Sequence, residues 1–235
     1  MKNLVYALLL VLWGCNASQS NQDAPFEATA DTSTLVLPKD TIQTEVAESI
    51  VPDYDTIEWA DLHYLDTTIQ IDMRYATEDN FVKAKMYECS RCFLRPKVAK
   101  AVMAVQENLQ TKGFGLKMLD CFRPRPIQWK LWEKVPDPRF VSDPRKGSMH
   151  NRGAAVDLTL VDAAGNELDM GTPFDFFGPE AYPAYTHLPD SILERRRLLT
   201  TTMEAYGFRG IRTEWWHFYY LGPTYELSDM LWKCY

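Results

Sequence analysis

The sequence predicts an α+β domain with a small, mainly antiparallel sheet and helices packed on it. Strands are expected at 68–74 and 156–160, where apolar and polar residues alternate, and at 211–221. Helices are expected at 97–112 and 190–206, where apolar residues recur at helical spacing. The segments lack the regular strand–helix alternation of a parallel sheet, which favours α+β over α/β.

The N-terminal residues are typical of an export signal. One lysine precedes ten apolar residues, 4–13, which are too few to span a bilayer as a lasting helix. Gly14 and Cys15 follow, and this pair predicts a bacterial lipoprotein whose membrane-anchoring lipid is carried by Cys15. Trp13 departs from the small or aliphatic residue usual before the glycine, so plain secretion is the alternative. We assign 1–15 to the signal and expect an exported protein of the bacterial cell envelope, facing the periplasm.

Residues 16–52 are rich in Ser, Thr, Gln, Asp and Ala and show no lasting period, which is typical of a flexible linker. The folded domain is therefore expected at 53–235. Apolar residues make up 46% of the 235-residue chain, enough for a sizeable core. The net charge of −7 is spread along the chain without a basic block, which argues against a nucleic-acid partner.

Four cysteines besides Cys15 lie in the predicted domain, and an even number in an exported protein suggests disulfides. Three pairings are possible. We favour Cys92–Cys121, with Cys89–Cys234 holding the C-terminal tail. Cys89 and Cys92 could instead form half a zinc knuckle or a redox pair, but no second Cys-x-x-Cys is present.

Two candidate site residues follow predicted strands. Tyr75 comes directly after 68–74 and can lean over a site at the strand end, although a core or turn tyrosine is the simpler interpretation. A short strand at 116–120 leads into a proline-bounded turn that contains Arg123. On its own, Arg123 would be interpreted as a solvated charge or a structural ion pair. A further helix is expected at 127–135.

Two possible metal ligands, His150 and Asp157, flank a run of small residues. Asp157 lies on the strand expected at 156–160, and the loop before this strand can place the side chain of His150 near the carboxylate. His217 is the candidate third ligand, and a His, Asp, His set leaves the fourth zinc position open for water, as in catalytic sites. Glu214 lies close before His217, where a general base is needed. In a regular strand these two side chains would face opposite ways, so a twist or bulge is required.

Asp175 lies among three phenylalanines, where an unpaired carboxylate would be costly. A substrate ammonium, a helix cap or a salt bridge can each supply the partner. The residue is therefore a candidate for binding a cationic group.

The helix at 190–206 carries the run Arg195-Arg196-Arg197, which we interpret as a solvated face. Asp190 or Ser191 is expected to cap its first turn. His187, in the loop before this helix, matches no ligand pattern.

Five motifs occur in order between residues 75 and 217. They are Tyr75-Ala76-Thr77-Glu78-Asp79-Asn80-Phe81, Asp120-Cys121-Phe122-Arg123-Pro124, Ser-x-His-x-x-Gly-x-Ala-x-Asp from Ser148 to Asp157, Met170-Gly171-Thr172-Pro173-Phe174-Asp175, and Glu214-Trp215-Trp216-His217. Together they resemble the zinc D-alanyl-D-alanine dipeptidases of the vancomycin-resistance type. Each motif alone is weak, but five in order over most of the predicted domain make a specific signal.

The resemblance implies an α+β fold with one zinc ion (Zn²⁺) per chain in a cleft of the sheet. The ligands would be His150, Asp157 and His217. Glu214 would act as the general base on the attacking water, and Arg123 would share the charge of the oxyanion. The implied reaction is hydrolysis of a peptide bond.

The resemblance also implies the substrate, which is the free dipeptide D-Ala-D-Ala. Asp175 would bind its ammonium group, with Ser148 and Tyr75 shaping the pocket. A carboxylate that binds a free amine would favour a dipeptide over longer peptides, because the corresponding nitrogen of a longer peptide is acylated and carries no charge. One rival is a related zinc D,D-carboxypeptidase or endopeptidase that acts on peptidoglycan peptides. Another is a non-catalytic wall-peptide binding module, against which Glu214 and Arg123 argue, because binding alone needs neither.

Overall fold

The structure is a computed structural model that describes residues 52–234. The predicted signal at 1–15, the lipid-bearing Cys15 and the linker up to residue 51 lie outside these residues and stay predictions. Within 52–234, no helix combines the length and the apolarity needed to cross a membrane.

The regular elements of the described residues are short. The helices are α1 (Leu62–Leu65), α2 (Pro96–Gln110), α3 (Arg125–Lys134) and α4 (Asp190–Ala205). The strands are β1 (Ala60–Asp61), β2 (Gln70–Ile71), β3 (Phe93–Leu94), β4 (Phe114–Asp120), β5 (Ala155–Asp162), β6 (Phe208–Gly210) and β7 (His217–Tyr220). Single 3-10 turns cover Arg74–Ala76, His150–Arg152 and Pro179–Ala181.

Five of the strands form one sheet in the order β2-β4-β5-β7-β6. The edge pair β2–β4 is parallel, and the pairs β4–β5, β5–β7 and β6–β7 are antiparallel. Strands β1 and β3 form a separate antiparallel pair. The predicted α+β class with a small, mainly antiparallel sheet is confirmed.

Helices α2 and α4 contact each other and pack on the sheet, α2 against β4 and α4 against β6. On α2, Val98, Val102, Val105 and Leu109 recur at helical spacing and are fully buried. Each such side chain contributes about 1.5–3 kcal/mol on burial, so this face holds the helix on the sheet. The predicted helix at 97–112 is confirmed as core scaffold.

A bulge in β4 decides which side chains reach the other face of the sheet. Met118 lies opposite Leu158 on β5, but the next pair joins Asp120 to Asp157, so Leu119 is the extra residue. Directly paired residues on neighbouring strands point to the same face. The bulge therefore turns Asp120 to the face of Asp157, away from the core that contains Met118 and Leu158.

Two strand predictions were too long. In 68–74, only Gln70–Ile71 pairs with a neighbour, and the chain then enters a 3-10 turn. In 211–221, the strand is His217–Tyr220, and the residues just before it bend. Helix α4 begins as expected at Asp190, but its first turn has no side-chain cap, so the predicted capping role is wrong.

The interpretation of the Arg195–Arg197 run as a solvated face is wrong for Arg196. This residue is only 5% exposed, whereas Arg197 is exposed. On the helix, Arg196 lies four residues after Ile192 and three before Leu199, which are both buried. The 3.6-residue period therefore turns Arg196 to the buried face.

Both predicted disulfides, Cys92–Cys121 and Cys89–Cys234, are present. The first joins the residue before β3 to the residue after β4. The second holds the tail that follows β7, in which Trp232 packs on the aromatic side chains of the small cluster around β3. The disulfides thus tie the cleft-facing end of β4 and the chain end to one scaffold.

Candidate active site

A cleft of about 330 Å³ opens on the polar face of the sheet. All of the site residues predicted from the sequence line it, namely Tyr75, Arg123, Ser148, His150, Asp157, Asp175, Glu214 and His217. They come from segments that are far apart in sequence. The structure therefore brings the whole predicted set to one place.

Asp157, His217 and His150 point their ligand atoms at one another. Asp157 on β5 pairs directly with His217 on β7, and their Oδ1 and Nδ1 atoms are 2.9 Å apart. The 3-10 turn before β5 brings Nε2 of His150 to 3.1 Å from Nδ1 of His217 and 3.4 Å from Oδ1 of Asp157. One ligand atom of each residue lies within 4.8 Å of the others, which is close enough to hold a metal ion.

The protonation of His150 suits a metal ligand. Its Nδ1 lies 2.7 Å from the carbonyl oxygen of Cys121, which can only accept, so Nδ1 carries a proton and Nε2 is the ring nitrogen that faces the cluster. Burial raises the pKa of Asp157, but His150 and His217 hold that pKa well below its usual range, so the carboxylate is ionised. Two imidazoles and one carboxylate are a donor set that catalytic zinc uses.

The glycine of the central motif lets the chain turn from His150 into β5. Gly153 has a φ of 67°, in the left-handed region that favours glycine. A Cβ there would lie 2.5 Å from Cζ3 of Trp59, so a side chain would also clash. The motif spacing between His150 and Asp157 thus depends on both the backbone conformation and the close packing at this glycine.

Glu214 lies in the bend before β7, not on the strand. This bend supplies the irregularity that the sequence required, and it brings Oε2 of Glu214 to 4.0 Å from Nδ1 of His217. Burial raises the pKa of Glu214 to about 7. A carboxylate with that pKa next to the ligand cluster is suited to accept and return a proton near neutral pH.

The guanidinium of Arg123 is held by buried partners that the sequence analysis missed. Its Nε and Nη2 donate to Oδ2 of Asp120 at 3.0 and 2.5 Å, and its Nη1 donates to Oε1 of Gln128 at 3.1 Å. Burial lowers the pKa of Arg123, but Asp120, together with Tyr75, Tyr87 and Asp157, raises that pKa well above its usual value, so the group stays charged. The sequence analysis named Asp120 only as part of a motif, because the bulge that turns it towards the cleft leaves no signal in the sequence. Gln128, on α3, carried no signal at all.

Asp175 and Tyr75 also line the cleft, and their side chains contact each other. The Tyr75 hydroxyl donates to Oδ2 of Asp175 at 3.1 Å. Burial and the negative charge of Asp157 raise the pKa of Asp175 well above its usual value. A cation placed beside this carboxylate would reverse that effect, so this part of the cleft is suited to an ammonium group.

Ser148 lines the cleft and lies just before the turn that carries His150. Its backbone N–H donates to Oδ1 of Asn151 at 2.7 Å, and Nδ2 of Asn151 donates to the carbonyl of Arg123 at 2.6 Å. Asn151 is fully buried and was not singled out from the sequence. It connects the turn of the metal ligand to the turn of Arg123.

The chain is similar to several proteins of known name. The chain is 38% identical over 164 residues to the D-alanyl-D-alanine dipeptidase of Escherichia coli (strain K12), which covers 70% of this chain and 85% of that protein. It is 30% identical over 181 residues to the D-alanyl-D-alanine dipeptidase of Enterococcus faecium, and this match covers 68% of this chain and 90% of that protein. A solved LD-carboxypeptidase structure aligns over 72% of this chain and 71% of its own, with 15% identity and a TM-score of 0.41.

A family model described as D-ala-D-ala dipeptidase matches residues 55–230, nearly the whole described part of the chain. This match contains all five motifs and every residue of the candidate site. The chain therefore belongs to the D-Ala-D-Ala dipeptidase family.

Proposed function

We propose that this protein hydrolyses free D-Ala-D-Ala to two D-alanines with one zinc ion held by His150, Asp157 and His217. The observation that carries the proposal is the convergence of these three donors beside Glu214 in one cleft. Family membership supports the reaction and the substrate. A non-catalytic binding module would not need the half-buried carboxylate of Glu214 beside the donor cluster.

His150, Asp157 and His217 would hold the zinc ion, which would supply Lewis-acid polarisation of the peptide carbonyl and lower the pKa of the attacking water to about 7. In the proposed mechanism, Glu214 accepts a proton from the attacking water and returns it to the leaving amine. Its position in the bend before β7 keeps the carboxylate beside His217 without making it a ligand. The reaction thus needs one residue for both proton transfers.

We assign the developing charge on the carbonyl oxygen to Arg123. Because Asp120 and Gln128 hold three of its nitrogens, the guanidinium is already oriented before substrate binds. Oriented charges of this kind stabilise a transition state without reorganisation during the reaction. The ring of Tyr75, 5.0 Å from the guanidinium, closes the same side of the cleft.

We assign the substrate ammonium to Asp175. A free amine would pair with the half-buried carboxylate of Asp175 beside the Tyr75 hydroxyl, whereas an acylated nitrogen carries no charge to pair. Ser148 bounds the same cleft and shapes the pocket. This arrangement favours a dipeptide over the longer peptides of the cell wall.

The decisive experiment compares wild type with Glu214→Gln on free D-Ala-D-Ala and on a wall pentapeptide. Wild type should cleave the free dipeptide, and Glu214→Gln should keep its zinc and lose about 10²–10⁴-fold in kcat, since an amide cannot accept the proton. Faster cleavage of the pentapeptide would indicate a carboxypeptidase instead. A zinc-loaded Glu214→Gln protein within a few-fold of wild type would remove Glu214 from the mechanism.

The two disulfides and the family indicate a protein of the cell envelope or periplasm, because disulfides persist in oxidising compartments. We further propose that 1–15 is a lipoprotein signal and that 16–52 tethers the domain to lipid on Cys15. Cys15→Ser should then release the protein from the membrane fraction or leave it unprocessed. Normal cleavage with unchanged membrane fractionation would argue against the lipid anchor.

A further inference from the structure

Arg196 lies outside the cleft, yet it contacts the backbone on both sides of Asp175. Its Nε donates to the carbonyl of Met170 at 2.7 Å, and its Nη1 donates to the carbonyl of Glu180 at 2.9 Å. Burial lowers the pKa of Arg196, while the carboxylate of Asp169 acts in the opposite direction. A buried cation is costly to keep, and here its hydrogen bonds go to the two ends of one loop, residues 170–180.

That loop depends on contacts from outside. The one regular element in it is the 3-10 turn Pro179–Ala181 at its far end. Asp175 itself has a φ of 60°, which is unusual for a residue other than glycine and persists only where the surroundings hold it. The position of the Asp175 carboxylate is therefore set by what holds the loop.

Arg196 also reaches the segment that carries the general base. Its guanidinium lies over the ring of Trp215, 5.7 Å from the centroid. Nε1 of Trp215 donates to Oγ1 of Thr172, in the Asp175 loop, at 2.8 Å. Trp215 directly follows Glu214, so one buried side chain contacts both the Asp175 loop and the Glu214 bend.

We propose that Arg196 is a positioning residue that sets the distance between Asp175 and Glu214, and thereby the preference for a substrate with a free amino group. The inference rests on the proposed function, in which Asp175 binds the substrate ammonium. With the ammonium at Asp175, the peptide carbonyl must lie within reach of the water that Glu214 activates. A displacement of about 1 Å between such groups can cost on the order of 100-fold in rate.

The test compares Arg196→Met with Arg197→Met, its exposed neighbour on the same helix. The main measurement is the ratio of kcat/KM for D-Ala-D-Ala to kcat/KM for its N-acetyl form, together with zinc content and Tm. Arg196→Met should keep its zinc and lower the ratio by about tenfold, mainly through a lower kcat for the free dipeptide, within the range expected for a misplaced group. Arg197→Met should keep the wild-type ratio.

Two further variants decide the matter if Arg196→Met does not fold. Arg196→Lys keeps the charge, but one ammonium cannot replace a guanidinium that spans two carbonyls, so an intermediate ratio is expected. Thr172→Val removes the bond to Trp215 without touching the buried charge, and a smaller drop is expected. A wild-type ratio in the folded, zinc-loaded variants overturns the inference alone, since a purely structural role would lower only Tm. A ratio near one in wild type would instead overturn the role of Asp175, and the inference with it.

Discussion

The carbonyl oxygen of Cys121 lies 2.7 Å from Nδ1 of His150, and Cys121 is covalently bonded to Cys92. The residue whose carbonyl orients this candidate metal ligand is therefore part of a disulfide. Both cysteines are fully buried behind the cleft. Partners of this kind fix the tautomer and ring orientation of a ligating histidine.

Removing this disulfide should weaken metal binding as well as the fold. Cys92→Ala/Cys121→Ala keeps the backbone carbonyl of residue 121 but no longer holds it against Nδ1 of His150, so zinc affinity should fall by about 10-fold, the lower end of the range for mutating a ligand's hydrogen-bond partner. It should also cost about 2–5 kcal/mol of stability. Competition with a chelator measures the affinity. The control is Cys89→Ala/Cys234→Ala, which should lose stability but bind zinc within a few-fold of wild type. Equal affinity in the two double variants would contradict the link to His150.

Each of the three donors should be needed for zinc. Replacing His150, Asp157 or His217 with Ala leaves two protein donors, which are too few for a tight site. Elemental analysis of the purified variants should find zinc well below one per chain. His187→Ala serves as the control, because His187 is not part of the ligand cluster and should leave the zinc in place. Full occupancy in the three variants would refute the assignment.

Asp175 should determine the preference for a dipeptide with a free amino group over its acylated form. A charge-assisted hydrogen bond contributes about 1.5–3 kcal/mol, so D-Ala-D-Ala should be cleaved about 10–150-fold faster than its N-acetyl form. Asp175→Asn should lower kcat/KM for the free dipeptide and hardly change the poor rate on the acetylated one. The two changes are then non-additive, as expected for groups in contact. Additive losses would mean that the amine is bound elsewhere.

Gly153 and Gly113 form a matched pair for stability. Both have positive φ, but a Cβ at Gly153 would meet Trp59 at 2.5 Å, whereas nothing lies within 4 Å of one at Gly113. Gly113→Ala should cost about 1–2 kcal/mol from backbone strain alone. Gly153→Ala should cost clearly more, because overpacking adds about 1–3 kcal/mol. Urea unfolding of both variants measures the difference, and similar losses would show that the turn at Gly153 relaxes freely.

The sequence alone identified the candidate ligand set and the core face of α2. His150, Asp157, His217 and Glu214 were identifiable because the motifs that carry them are local and keep their spacing along the chain. The α2 face was identifiable because a helix repeats every 3.6 residues whatever it packs against. These features need no knowledge of which distant segments meet.

The tertiary structure decided everything that depends on such meetings. The bulge at Leu119 exists only in the register between β4 and β5, and it is what turns Asp120 towards Arg123. Gln128 bonds to Arg123 because α3 lies beside the cleft. Arg196 is buried because the Asp175 loop covers its face of α4. A strand or helix pattern shows which residues share a face, but the segment that packs on that face comes from far away in the chain. The sequence therefore cannot distinguish a charged side chain that a loop buries from one that is exposed to solvent.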